Sequence, residues 1–472
     1  MTSLSRKALA LALAVGIALP SSVFATNGYF LIGFGAKSRG MGGVGVAYGQ
    51  DGLAAGANPA TMADVKIDGA MRMDIGAELF VPKRAFNHNS ATLESFPGVT
   101  GSVNHVSGAN EFLIPSMGGI YKFNRKITIG MAAIGAGANT RYDQSVPGIP
   151  TCRDGDTSGG TGSTGFNFNC LGSTTLGVNL IQMQMLPSAA YRINKNQYVG
   201  ASLAIGVQTF RAYGLQSFGP AGLGYTNGSD FTNKGNDWAY GSGVRFGWLG
   251  KFLDKRLSLG ANYASRVYMT KFDKYKDLFA EQGDFDIPSH WALGLAFKAT
   301  DKLTIAADYQ KIYYSDIASV GNQGPNPADP SNFFPPGCVS ISPTENTCKL
   351  GLDNGMGFGW QDADVYKLGV SYDYNDEWTF RAGYNHADAP MPEDQIMFNF
   401  LAPAVVEDHV TLGASYRPNK NMEWTFNYVH AFENTISGPT ALGPIGGLPV
   451  NGTNGSATMH INTFGISFGF LL

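Results

Sequence analysis

The sequence predicts an all-β fold: a transmembrane antiparallel β-barrel of about 14 strands, with an N-terminal plug in its lumen. Three observations carry that reading. About fourteen segments alternate in residue character with the period of two that marks strands with unlike faces. Short polar links between them take turns with long ones, the pattern of outer-membrane barrels. The longest apolar run, Ala8 to Leu19, is twelve residues, and a spanning helix needs about 20.

Composition agrees with these signals. Charged residues are 15% of the 472, against roughly 25% in an average soluble domain, and 62 glycines take up part of the difference. A net charge of −3 argues against nucleic acid as a partner. Aromatic residues at 12% argue against disorder.

The first element, residues 1–25, reads as an export signal. Arg6 and Lys7 precede the apolar run, and Val23-Phe24-Ala25 forms a small-residue cleavage site. The mature chain is expected to start at Thr26. Residues 26–65 follow without alternation. They are rich in Gly and Ala yet carry Tyr29, Phe30, Leu31, Ile32, Phe34 and Tyr48, too apolar for a free tail. They are expected to fold as the plug, with a helical turn near Leu53 to Asn58.

The barrel occupies 66–472. Strands are expected at 66–81, 111–124, 126–142, 176–194, 197–214, 238–254, 256–275, 285–299, 302–317, 360–375, 377–389, 403–418, 422–436 and 458–472. In the last, Phe464, Ile466, Phe468, Phe470 and Leu472 oppose Thr463, Gly465, Ser467 and Gly469. Along 256–275, Leu257, Leu259, Tyr263 and Val267 oppose Ser258, Asn262, Ala264 and Arg266. Such strands must close on themselves in lipid, because every backbone group there needs an internal partner. A soluble β-sandwich would have shorter strands and a polar outer face.

By parity the lumen face collects Arg72, Asp74, Glu78, Arg245, Arg266, Asp308, Lys367 and Arg381. Both signs are present, as a network holding the plug would require. In the third segment, Gly130, Gly135 and Gly137 weaken pairing and favour a bend near 134–138. Phe166, Phe168, Leu176, Leu180 and Ile181 form an apolar group by a long loop, a candidate capture surface. Cys152, Cys170, Cys338 and Cys348 fall in two clusters, and local disulfides are the simplest pairing. Their spacing does not suit zinc, so no metal or other cofactor is expected. Seven scattered histidines and no hydrolase signature argue against an enzyme. A general porin and, more remotely, a lipid hydrolase stand as alternatives.

Several motifs resemble the FadL-type long-chain fatty acid and hydrocarbon transporters of Gram-negative outer membranes. They are Gly28-Tyr29-Phe30 at the mature start, Asn58-Pro59-Ala60, and Ile287-Pro288 with Trp291-Ala292-Leu293-Gly294. The longest is Tyr366 to Gly369, then Asn375 to Gly383, then Ala389-Pro390-Met391-Pro392. The resemblance implies a monomeric, fourteen-stranded plugged barrel in the outer membrane, surrounded by its lipid. It implies passive uptake of a hydrophobic small molecule, such as a fatty acid or hydrocarbon. Capture would occur at the outer loops, with Tyr29 and Phe30 as plug contacts, and release would run sideways at a kinked third strand. Family members hold a carboxylate with an Arg/Lys pair; Arg245, Arg266 and Lys367 are the candidates. The chain departs from the pattern in ending Phe470-Leu471-Leu472 rather than in phenylalanine.

Overall fold

The computed structural model describes residues 27–67, 69–90, 102–143, 175–215, 218–219, 225–324, 348–440 and 453–472. They form one closed antiparallel barrel. Its strands are β1 (Met71–Ser90), β2 (Ser102–Val106 and Phe112–Lys122), β3 (Ile127–Asp143), β4 (Thr175–Asn194) and β5 (Gln197–Tyr213). There follow β6 (Asp237–Phe252), β7 (Leu257–Ala264, continued by Tyr268–Met269), β8 (His290–Lys298), β9 (Leu303–Ile312) and β10 (Ala363–Asp373). The last four are β11 (Trp378–Ala387), β12 (Asp408–Asn419), β13 (Met422–Thr440) and β14 (Thr453–Leu471). Neighbours in sequence pair around the ring, and β1 closes on β14 in a register from Arg72↔Leu471 to Ser90↔Thr453. Closure leaves no free terminal strand. Among the described residues no helix is long and apolar enough to cross a membrane.

Local chemistry explains the short links. Asn124 Oδ1 accepts from the amides of Lys126 and Ile127, and Asn375 Oδ1 from those of Glu377 and Trp378. Asn194 and Asn419 each accept from the amide two residues on. A side-chain amide that mimics the backbone in this way fixes a tight turn. The outer face carries the expected apolar set: Tyr366, Leu368, Phe380, Tyr384, Phe464 and Ile466 are all exposed. Lys367, Arg381, Ser371 and Ser467 on the alternate positions are buried.

The departures have physical reasons. The first strand starts at Met71 and runs on to Ser90, because β14 continues to pair with it. The strand expected over 256–275 breaks after Ala264. Arg245 pairs with Ala264, but Ser242 pairs with Tyr268, so β7 has one residue more than β6 across this stretch. Such a bulge swaps the faces. Val267 is therefore buried, and Arg266 leaves the lumen row in which strict alternation put it.

Residues 27–67 are almost wholly buried and run among the inward faces of the strands. Their regular parts are a helical turn at Ala36–Arg39 and two 3-10 turns, Ala54–Gly56 and Pro59–Asp64. Asn58 caps the last of these, with Pro59 at its first position. The Asn58 Oδ1 accepts from the Ala60 amide, while its Nδ2 donates to the carbonyls of Val46, Trp248 and Ala261 at 2.7, 2.9 and 3.3 Å. One side chain thus ties the segment to itself, to β6 and to β7. Backbones meet closely elsewhere: a Cβ on Gly383 would lie 2.1 Å from the Gly42 nitrogen. Only glycine fits there.

Charges complete the attachment. Arg72 is paired with Asp74 at 2.6 Å and with Glu423 at 3.0 Å, and Glu423 also takes Lys37 and Arg417. Arg39 pairs with Glu78. Asp74 accepts the Gly52 amide, and Asp308 accepts those of Gly45 and Val46. Burial, and next the Arg72 charge, pushes Lys37 down to about 8. Its pairing with Glu423 opposes that shift.

An apolar corridor and a window in the barrel wall

The inward face changes character along the strands. On β4 it reads Ser188, Leu186, Gln184 and Gln182, then Leu180, Val178 and Leu176 toward the long-loop end. On β1 it passes from Arg72, Asp74 and Glu78 to Phe80 and Phe86. The long-loop half of the lumen is therefore lined with apolar side chains, and segments between strands fold into it. Phe272, Tyr275, Phe279 and Phe285 come from the β7–β8 connection, Tyr314 and Trp360 from β9–β10, and Phe398 and Phe400 from β11–β12.

These rings form a column. Phe210 on β5 lies 4.6 Å from Phe279, and Phe279 lies 4.8 Å from Phe285. Phe285 lies 6.2 Å from Tyr29, which stacks on Phe30 at 5.4 Å. Edge-to-face and offset arrangements of this kind are favoured by the ring quadrupole. At the loop end, Val178, Phe210, Phe218, Phe279, Phe398 and Leu401 border a narrow apolar cavity of about 30 Å³. At the other end, Phe30, Leu31 and Phe34 face Ile134, Gly135, Ala136, Gln182 and Gln184 across a smaller pocket. Gly28 makes the turn before Tyr29 with φ of 70°, packed so closely on Tyr314 that a Cβ would collide with its ring.

The small pocket lies behind an interruption in the wall. β2 pairs with β3 only from Met117↔Ala133 to Lys122↔Thr128. Beyond that pair, β3 keeps its full register with β4 up to Asp143↔Thr175. Among the described residues no backbone pair joins Phe112–Ser116 to Ile134–Thr140. Pairing resumes above, where the Gly108 amide donates to the Arg141 carbonyl at 2.7 Å and Ser107 Oγ accepts from the Arg141 amide. Arg84 spans the upper rim, donating to the carbonyls of Asn139 and Ala109. The wall thus has a framed window between β2 and β3. Gly135 and Gly137 lie on its β3 side, and Gly130 lies below it in the paired region.

The other candidates fall as follows. Tyr29 and Phe30 lie in the column. Leu176 and Leu180 are buried on the inward face of β4 rather than exposed by a loop, because that half of the lumen is apolar; Ile181 points the other way. Arg245 donates to the Gly56 carbonyl and to Gln184 Oε1, and Lys367 to Gln310 Oε1. Arg266 pairs with Asp286 at 2.5 Å and Asp284 at 3.3 Å. Each cation thus has its own protein partners, on different strands or connections. Cys348 is buried and disulfide-bonded. Phe166, Phe168, Cys152, Cys170 and Cys338 lie outside the described residues. Among the described residues no His, Cys, Asp and Glu group has the arrangement of a metal site. The column's rings from Phe272 to Phe285 and from Phe398 to Phe400 escaped sequence analysis. Their one signal was aromatic density in stretches expected to be strand or link.

Residues 162–468 match the family described as outer membrane protein transport protein (OMPP1/FadL/TodX). The chain belongs to this family. Similar folds in the FadL family include a Ralstonia pickettii toluene transporter, TbuX, at 18% identity and TM-score 0.58, covering 93% of this chain and 99% of that one. The Pseudomonas putida toluene transporter TodX has 17% identity and TM-score 0.61, covering 95% and 100%. A Pseudomonas aeruginosa FadL homologue has 15% identity and TM-score 0.59, covering 96% and 99%. No curated protein matches the sequence.

Proposed function

We propose that this protein is a passive outer-membrane channel for hydrophobic compounds. A solute enters the apolar cavity at the long-loop end, moves along the aromatic column past Tyr29 and Phe30, and leaves through the window between β2 and β3. The observation that carries this reading is the window itself, where the wall loses its pairing opposite an apolar pocket. Burial contributes about 0.8 kcal/mol per methylene. An apolar solute therefore keeps that gain only if it passes from protein into lipid and not into water.

In this reading residues 1–25 direct export and are removed, and residues 26–65 are the plug that closes the lumen to ions. The barrel works as a monomer in outer-membrane lipid without a cofactor, and its cysteines pair within their own loops. Arg245 and Lys367 hold the barrel interior together and anchor no carboxylate. The relatives named as toluene transporters support an uncharged cargo over a fatty acid.

The test is uptake of labelled toluene and labelled oleate by a Gram-negative host lacking its own channel of this kind. Toluene should enter well above the empty host. Gly137→Phe, and separately deletion of 58–60, should cut that uptake at least about tenfold while the barrel still folds. Unchanged uptake in both variants would refute lateral release. Large steady ion conductance in planar bilayers would instead favour a general porin.

A further inference from the structure

Two glutamines interrupt the corridor where its polar half meets its apolar half. Gln182 on β4 and Gln208 on β5 are direct register partners and both point inward. Both residues are buried, at 1% and 0% exposure. Gln182 lines the small pocket behind the window, beside Phe30, Phe34 and Ile134. Neither amide has a hydrogen-bond partner: the oxygen and nitrogen of Gln182 and those of Gln208 are all unpaired. Their neighbour Gln184 is different, because Arg245 occupies its oxygen.

Buried polar groups are nearly always paired, and unpaired ones are costly. Two further groups in the column share this state: the Tyr29 hydroxyl and the Nδ1 of His290, whose ring meets Phe30 edge-on at 5.5 Å. A pure hydrocarbon would leave all of them unpaired as it passed. No charged residue lines the pocket itself, and Arg245 behind it is engaged by Gln184 and the Gly56 carbonyl. An amide offers one acceptor and one donor group side by side. Its complement is a neutral hydroxyl, which both donates and accepts, and the surrounding phenyl rings favour an aromatic body.

We infer that the pocket holding Gln182 and Phe30, together with Gln208 across the strand pair, selects aromatic compounds bearing a neutral hydroxyl, of the phenol class, over hydrocarbons of the same shape. This rests on the channel reading above and specifies its cargo. The ring lies against Phe30 and Phe34, and the hydroxyl donates to one glutamine Oε1 and accepts from an Nε2. The site then discriminates by hydrogen bonding and not by size.

The experiment compares 4-propylphenol with propylbenzene in the channel-deficient host, using the full chain and the double variant Gln182→Leu with Gln208→Leu. The full chain should admit the phenol faster. The variant should lose about tenfold in phenol uptake, the loss expected for one to two net hydrogen bonds. Its propylbenzene uptake should hold or rise, which also reports that the variant folds. A full chain that admits both solutes equally, or prefers propylbenzene, overturns the assignment but leaves the channel reading standing. So does a variant that changes both rates alike or neither. If the full chain admits neither solute above the empty host, the channel reading fails and takes the assignment with it.

Discussion

The turn-end half of the lumen and its loop-end half share the same fourteen strands, yet they are held in opposite ways. At the turn end the inward face includes many charged and hydroxylated residues, and the N-terminal segment is fixed to them by ion pairs and backbone amides. Arg72 with Asp74 and Glu423, and Asn58 with three carbonyls, are directional contacts that tolerate one arrangement. At the loop end Phe210, Phe279, Phe285, Tyr29 and Phe30 meet through faces and edges of rings. Such contacts involve no hydrogen bond, and a ring-sized apolar solute can replace a side chain there without breaking one. The contrast teaches a division of labour. In the channel proposed above, the seal is built from contacts that cannot be exchanged, and the path from contacts that can.

The contrast can be broken most severely at Arg72. Arg72→Leu leaves Asp74 and Glu423 facing each other in a buried site, which should cost about 3–5 kcal/mol. Urea unfolding followed by the barrel's heat-modifiable mobility would measure it. Phe210→Ala attacks the other half. It should cost about 3 kcal/mol by opening a cavity, leave the seal closed to ions, and speed uptake of bulkier aromatics. An equal rise in ion conductance would show that the halves are not separate.

Gly383→Val sharpens the comparison, since its side chain would drive into the Gly42 backbone. Overpacking of this kind costs about 1–3 kcal/mol. Single-channel recording should show new ion conductance as the N-terminal segment is displaced, with the aromatic column intact. The smallest effect lies in the β7–β8 connection, outside the membrane-spanning strands. Burial, and then the Asp286 charge, pushes Asp284 up to about 6. Because the folded state holds this proton longer than the unfolded chain, stability should fall as pH rises from about 4 to about 6. Asp284 is buried beside Arg266, whose charge opposes the shift, and Asp284→Asn should flatten the change.

Much of the barrel was legible because period-two alternation is a local property. The order of all fourteen strands, the outward set Tyr366, Leu368, Phe380 and Phe464, and the asparagine turns follow from neighbouring residues. Arg266 shows where this fails. A single extra residue opposite β6 inverts every face beyond it, and nothing near Arg266 in sequence announces the bulge. Asn58-Pro59-Ala60 stood out in the sequence as a motif, but the capping by Asn58 did not, and its two barrel acceptors, Trp248 and Ala261, lie some two hundred residues away.

The sequence by itself determined a closed sheet with an apolar outside, since lipid and backbone pairing leave no other solution for such strands. It also indicated that residues 26–65 would be packed and not free, because their aromatic side chains demand burial. Only the tertiary structure decided where the wall opens. The glycines of β3 permit a bend, but the window exists because β3 stays in register with β4 and parts from β2 past Ala133, while Phe112–Ser116 stay paired with β1. It likewise decided that Gln182 and Gln208 share one level of the lumen. Register between strands is set by the whole ring of pairings, and no single segment contains it.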